Sequence, residues 1–197
     1  MKSAEEKKVI VRRAWSIYAG LVAALATPII VMYLIAPLCG RTIGCSPGGC
    51  VIEVNMIVLA ASLASVVVLH ELIHMVSARL IGVEGVRLRL VARMGAIMID
   101  YSWMTPRQYL VVALTPQLLS IIALAMIAYG MIRGTLGLAL CIAFVFNVSG
   151  GMVDIVNAVY FSLTHWYAKR FLLLYSENGG VAGGVVEYDD KLVVYML

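Results

Sequence analysis

Charge is what this sequence has least of. Asp, Glu, Lys and Arg make up 13% of its 197 residues, against 62% hydrophobic. Soluble domains carry about a quarter charged residues, and a core of this length cannot hide so much apolar surface. A soluble globular domain is therefore excluded, and a bilayer must serve as solvent for much of the chain. Histidine is scarcer still, with three residues, too few for the ligand set of a membrane di-iron oxygenase. A continuous basic face is also missing. The net charge of +4 comes from residues set between apolar runs, where they act as topology signals, so nucleic acid is not the implied partner. No small-residue cleavage site follows the first apolar run at a fitting distance, which is expected to stay as an anchor helix.

Cysteine is sparse and uneven. Cys39, Cys45 and Cys50 fall in one short segment, and Cys141 lies in a later apolar run. The Cys45-Ser-Pro-Gly-Gly-Cys50 turn can close a small disulfide on an oxidising side, or hold free thiols. A second metal site there is disfavoured, because no histidine or further cysteine completes a tetrahedral set.

What is abundant is long apolar sequence. Four runs, at about 14–36, 51–80, 109–132 and 136–163, are each long enough to cross roughly 30 Å of hydrocarbon. The third is entered through Thr105-Pro106, a cap-then-proline helix start. The expected fold is an all-α membrane protein of about four transmembrane helices, one domain over 14–168, between a segment 1–13 and a tail 169–197. Thirteen of the fifteen basic residues fall on one side of these spans; Arg41 and Arg133 are the exceptions. The positive-inside rule then places both termini in the cytoplasm and the chain in the cell membrane as a multi-pass protein. Tyr18, Tyr33, Trp103, Tyr109 and Trp166 lie near span ends, where aromatic rings prefer the interface.

Two stretches carry a different period. Val86-Arg87-Leu88-Arg89-Leu90 alternates, and Ala96 to Tyr101 is rich in β-favouring residues, which predicts a short cytoplasmic hairpin. In the tail, Gly179-Gly180 and Gly183-Gly184 suggest a flexible connector, followed by one or two strands over Val185–Tyr188 and Leu192–Tyr195.

The chemistry concentrates in the second span, at His70-Glu71-Leu72-Ile73-His74. Two histidines four residues apart share one helix face and can occupy neighbouring positions on one Zn²⁺. Glu71 can then act as general base on a water whose pKa zinc brings to about 7. Residue frequencies make this pattern a chance event in about one such chain in a thousand. Histidines merely bonded between helices are the bland alternative, costly in lipid without a site to serve.

An open zinc site takes three protein ligands. Asp154 is the one acidic residue in the third and fourth runs. It lies twenty residues past Gly134, while His70 and His74 lie seventeen and twenty-one past Glu53. If both spans enter from the external face, these depths agree within about one turn. Asn147, seven residues before Asp154, shares its helix face and can donate a hydrogen bond to substrate or ligand. Gly150-Gly151 allow close helix approach or a kink. His165, in an interfacial-looking Thr164-His165-Trp166-Tyr167 stretch, is the rival third ligand.

The run from His70 to Val83, with its Ala78-Arg79 pair and Gly82-Val83 exit, resembles the motif helix of the site-2 proteases, which cleave within membranes. The broader pattern is similar to a related group of prokaryotic membrane proteins, the putative zincin peptidases. There a span such as Leu114-Thr115-Pro116-Gln117-Leu118 leads to a helix bearing Asn and then Asp, as at Asn147 and Asp154. The resemblance covers about 55–160. The Asn-Pro and Asp-Gly pairs of the site-2 family are absent, since Val148 follows Asn147 and Ile155 follows Asp154. The resemblance implies a zinc metalloendopeptidase with a membrane protein or peptide as substrate. Two other readings stay open: a catalytically silent scaffold with a structural metal site, and a small transporter.

Overall fold

The computed structural model describes residues 8–13, 15–43, 49, 54–91, 96–175 and 181–196. Among the described residues, four helical stretches are long and apolar enough to cross a membrane, as expected. The first helix, α1 (Trp15–Ile43), continues past Pro28 and Pro37. Prolines that would end a soluble helix are tolerated in spans, where neighbouring groups satisfy the freed carbonyls. Continuing past residue 36 takes Cys39 out of the expected loop and into the helix.

Cys39 is disulfide-bonded to Cys141, 102 residues away in sequence, with Cα atoms 6.1 Å apart. This replaces the expectation that Cys39 belongs to a loop cluster. Sequence proximity favoured the nearest cysteines, whereas the helix register turns Cys39 towards another span. Cys45 and Cys50 lie outside the described residues.

The second helix, α2 (Met56–Leu80), is capped by Asn55, whose side chain accepts from the amides of Ile57 and Val58. It ends where Gly82 takes a left-handed φ of +77°, a conformation that favours glycine. The hairpin follows, with β2 (Arg87–Val91) antiparallel to β3 (Ala96–Asp100). The expected third span is two helices, α3 (Pro106–Leu114) and α4 (Gln117–Ala128), broken at Thr115-Pro116. Thr105 and Gln108 form a capping box at the start of α3. Gln108 also donates to the Ile81 carbonyl, 3.1 Å away, tying this start to the exit of α2.

The last helix, α5 (Gly134–Thr164), is the hub: α1, α2, α3 and α4 all pack on it. Half of its most apolar window is buried, against none of that of α2, so α2 leans on α5 with much of its surface left for lipid. Gly20 lets α1 close in, since a Cβ there would stand 3.1 Å from the Val153 Cα.

The tail is more structured than expected. Three strands, β4 (Arg170–Tyr175), β5 (Val181–Glu187) and β6 (Lys191–Met196), join β1 (Lys8–Arg13) in a sheet of order β1-β6-β5-β4. Gly179 and Gly180 lie outside the described residues. β1 pairs in parallel with β6, Lys8 opposite Lys191, so the segment before the first span is a strand. Met104 and Phe171 exchange backbone hydrogen bonds of 3.0 and 2.8 Å, stitching the sheet to the loop before α3. Tyr109 sits in this core and not at a lipid interface. Its ring meets Phe161 and Phe171 edge-on, and 7% of it is exposed.

His165 also belongs to this core. Its Nε2 lies 2.7 Å from the Tyr195 hydroxyl, and its Nδ1 is bonded to the Tyr188 hydroxyl. The sheet thus clasps the end of α5 through one imidazole. Burial, with the nearby Arg12 cation, holds His165 down to about 4. Burial also pushes Tyr195 up to about 12, so the clasp is uncharged near neutrality. An unfolded histidine titrates near 6.5. Between about pH 6.5 and 4 the unfolded chain binds a proton that the folded one refuses, so stability is full above this window and falls as pH falls through it. The full loss is on the order of 3–4 kcal/mol at about 1.4 kcal/mol per unit, of which about 2 kcal/mol is gone by pH 5. Thermal unfolding in detergent should show a midpoint that drops from pH 7 to 5, with a flatter dependence in His165→Phe. An equal slope in both proteins would remove His165 as the cause.

Candidate metal centre

His70 and His74 project from one face of α2, with ring centroids 4.9 Å apart. Each spends its Nδ1 on an acceptor. His74 is buried and donates from Nδ1 to the Val112 carbonyl oxygen of α3, 2.8 Å away. A carbonyl can only accept, so Nδ1 carries a proton, and in the neutral ring Nε2 keeps its lone pair. His70 Nδ1 stands 2.9 Å from Asn147 Oδ1. The orientation of that amide is set from behind, where Nδ2 donates to the Pro116 carbonyl at 3.2 Å and the Ser120 hydroxyl at 2.7 Å. Oδ1 must then face His70 as acceptor, and the neutral ring of His70 likewise keeps its lone pair on Nε2.

Both bare nitrogens converge on Asp154 of α5, whose Oδ2 lies 3.4 Å from each. The three donor atoms all lie within 4.8 Å of one another. Ligands on a tetrahedral ion with bonds of about 2.05 Å stand about 3.3 Å apart. The two nitrogen-to-oxygen separations already match that edge. Two neutral imidazoles and a carboxylate also suit zinc by chemistry, as borderline nitrogen donors joined by one anionic oxygen. Among the described residues the cluster holds three such donors, leaving room for water or substrate.

Glu71 follows His70 and turns towards the same space. Together with His70, Asn147, Gly150 and Asp154 it lines a cavity of about 340 Å³ between α2 and α5. The site therefore offers three candidate ligands, one carboxylate beside them, and a largely apolar approach.

The structure brings together His70, Glu71, His74, Asn147 and Asp154. Asp154 meets both histidines, at the depth its distance from the span entry predicts. Asn147 stands behind His70, accepting from its Nδ1 and giving its own N–H groups to Pro116 and Ser120. His165 stands apart, held in the tyrosine clasp. Sequence reasoning missed Val112 and Ser120. Val112 acts through its backbone, which no side-chain pattern reveals. Ser120 had one signal, a hydroxyl in the turn after a mid-span proline.

A histidine pair on one helix turn, met by a carboxylate from a second helix, defines the zincin-like class of metal sites, here inside a membrane bundle. A family model described as putative zincin peptidase matches residues 63–165, just over half of the chain, and the protein belongs to that family. The matched segment runs from within α2 to the end of α5 and carries every residue of the site. No curated protein and no solved structure matches the chain.

Purified, zinc-refilled protein should carry about one zinc per chain by plasma mass spectrometry. His74→Ala and Asp154→Ala should each lose it, and His165→Phe should keep it. Zinc retained in Asp154→Ala would move the third ligand elsewhere.

Proposed function

We propose that this protein is a membrane-embedded zinc metalloendopeptidase related to the site-2 proteases, hydrolysing peptide bonds of membrane proteins or peptides in or near the bilayer. One observation carries the reading: both imidazoles have Nδ1 engaged and turn Nε2 towards a carboxylate from the facing helix, beside Glu71 in a shared cavity. His70, His74 and Asp154 would hold the zinc. When bound, zinc polarises a substrate carbonyl and brings the pKa of water to about 7.

Glu71 takes the proton released as the water oxygen bonds to the peptide carbon. It returns that proton to the leaving nitrogen as the C–N bond breaks. Asp154 balances the charge that the two neutral imidazoles leave uncompensated. Asn147 works through His70, holding its ring in one orientation. The two-stranded β2–β3 sheet offers a strand edge to an extended substrate. Such an edge suits the task, because a helix in a membrane must unwind before its peptide bonds are accessible.

The same reading places both termini in the cytoplasm. The pairing of β1 with β6 puts the first and last strands on one side of the spans. The Cys39–Cys141 bond, near the end of α1 and the start of α5, lies at the opposite end, where an oxidising compartment would keep it. Epitope tags at either end should resist protease in intact spheroplasts and be cut after permeabilisation. Cutting in intact spheroplasts would reverse the orientation.

Glu71→Gln should keep its zinc and lose cleavage of a reporter with a single transmembrane segment by roughly 10²- to 10⁴-fold. Cleavage at the wild-type rate in that variant would remove Glu71 from its role as base.

A further inference from the structure

The break in the third span has a chemical consequence one helix away. In an unbroken helix the carbonyl of Val112 would accept from the N–H of residue 116. Residue 116 is proline, which has no N–H. The Val112 carbonyl is therefore left for an outside donor, and His74 Nδ1 meets it at 2.8 Å. The carbonyl of Pro116 itself faces α5 and accepts from Asn147 Nδ2. Ser120, in the first turn after the break, accepts from the same amide and donates to Gln117 Oε1, 3.2 Å away. Gln117 fits there because Gly151 has no side chain, as a Cβ would stand 1.7 Å from its Nε2. That Nε2 is buried without a partner. The oxygen is the end of this amide that Ser120 uses.

We propose that Pro116 is the positioning residue of the metal centre: breaking the third span at this point supplies the acceptors that fix both histidines with Nε2 bare. One arm runs from the Val112 carbonyl to His74. The other runs from the Pro116 carbonyl and Ser120 through Asn147 to His70. If the Asn147 amide turned over, its N–H groups would face His70, force the proton to Nε2 and spoil that nitrogen as a ligand. The Ser120 hydroxyl, committed to Gln117, and the Pro116 carbonyl both oppose that turn. The proposal rests on the reading of His70 and His74 as ligands, and it assigns to the proline a task that neither ligand nor base performs.

The test reads tautomers directly. Full-length protein in detergent, labelled with ¹⁵N-histidine and metal-free, is examined by NMR at about pH 9, well above the ordinary imidazole value of about 6.5. Single histidine substitutions assign the three rings. In the wild type, His70 and His74 should both be protonated at Nδ1. Pro116→Ala restores an N–H that competes for the Val112 carbonyl, and His74 should then show a mixed tautomer. Ser120→Ala should disturb His70 and leave His74 unchanged. Zinc affinity by chelator competition should weaken about tenfold in each variant, at the low end of the range for groups that orient ligands. A general loosening of the bundle would move both histidines together in both variants and would overturn the proposal. Single Nδ1–H tautomers in Pro116→Ala and Ser120→Ala alike would also overturn it, whatever the zinc result. If zinc fails to shift the Nε2 resonances of the wild type, the ligand reading falls, and the tautomer pattern still decides the role of Pro116.

Discussion

An imidazole inside an apolar span has two nitrogens to satisfy and no water to help. Most of the molecule's polar architecture can be understood as the answer to that constraint. Each histidine of α2 places Nδ1 on a protein acceptor, one a backbone carbonyl and one an amide oxygen. The remaining nitrogens then face one carboxylate, three electron-pair donors that a bound cation would reconcile in a medium where an unpartnered polar group is expensive. The price appears elsewhere, in a span that is broken and a buried amide nitrogen left without a partner.

The helix that gathers these groups, α5, is also the most buried. It contributes Asn147 and Asp154 from one face, receives α1 over Gly20, and ends in the tyrosine clasp around His165. Any tilt of α5 would change the distance from Asp154 to both histidines at once. The sheet at one end and the Cys39–Cys141 bond near the other restrain such a tilt. The site is thus held from its ends as well as from its neighbours, which suits a centre that needs placement within about half an ångström.

Much of this was legible in the sequence, and the reasons differ by feature. The spans announced themselves by length and low charge. His70, Glu71 and His74 were legible because their spacing equals a helical turn. Asp154 was legible because acids are rare at such depth and its distance from the span entry matches that of the histidines. The hairpin showed in the alternation of Val86 to Leu90. Other features depend on partners that a linear reading does not supply. Cys39 pairs across 102 residues. Lys8 to Arg13 reads from the sequence only as a segment before the first span, because the strand that orders it is β6 at the far end of the chain. Tyr109 carries an interfacial signature and is buried because Phe161 and Phe171 come to it. The acceptors behind the histidines are backbone atoms, exposed by a missing N–H that no motif marks.

The parallel pairing of β1 with β6 also sets an order of events during synthesis. β1 leaves the ribosome about 180 residues ahead of the strand it must join. At ordinary elongation rates that is a wait on the order of ten to forty seconds. All four spans are made in that interval, so the bundle must enter the bilayer before its sheet can close. During the wait β1 is an unpaired, Val- and Ile-rich strand tethered at the membrane surface, the kind of segment that chaperones hold and stray strands capture. The clasp on the end of α5 can form only once β6 has emerged, making it a late step in maturation.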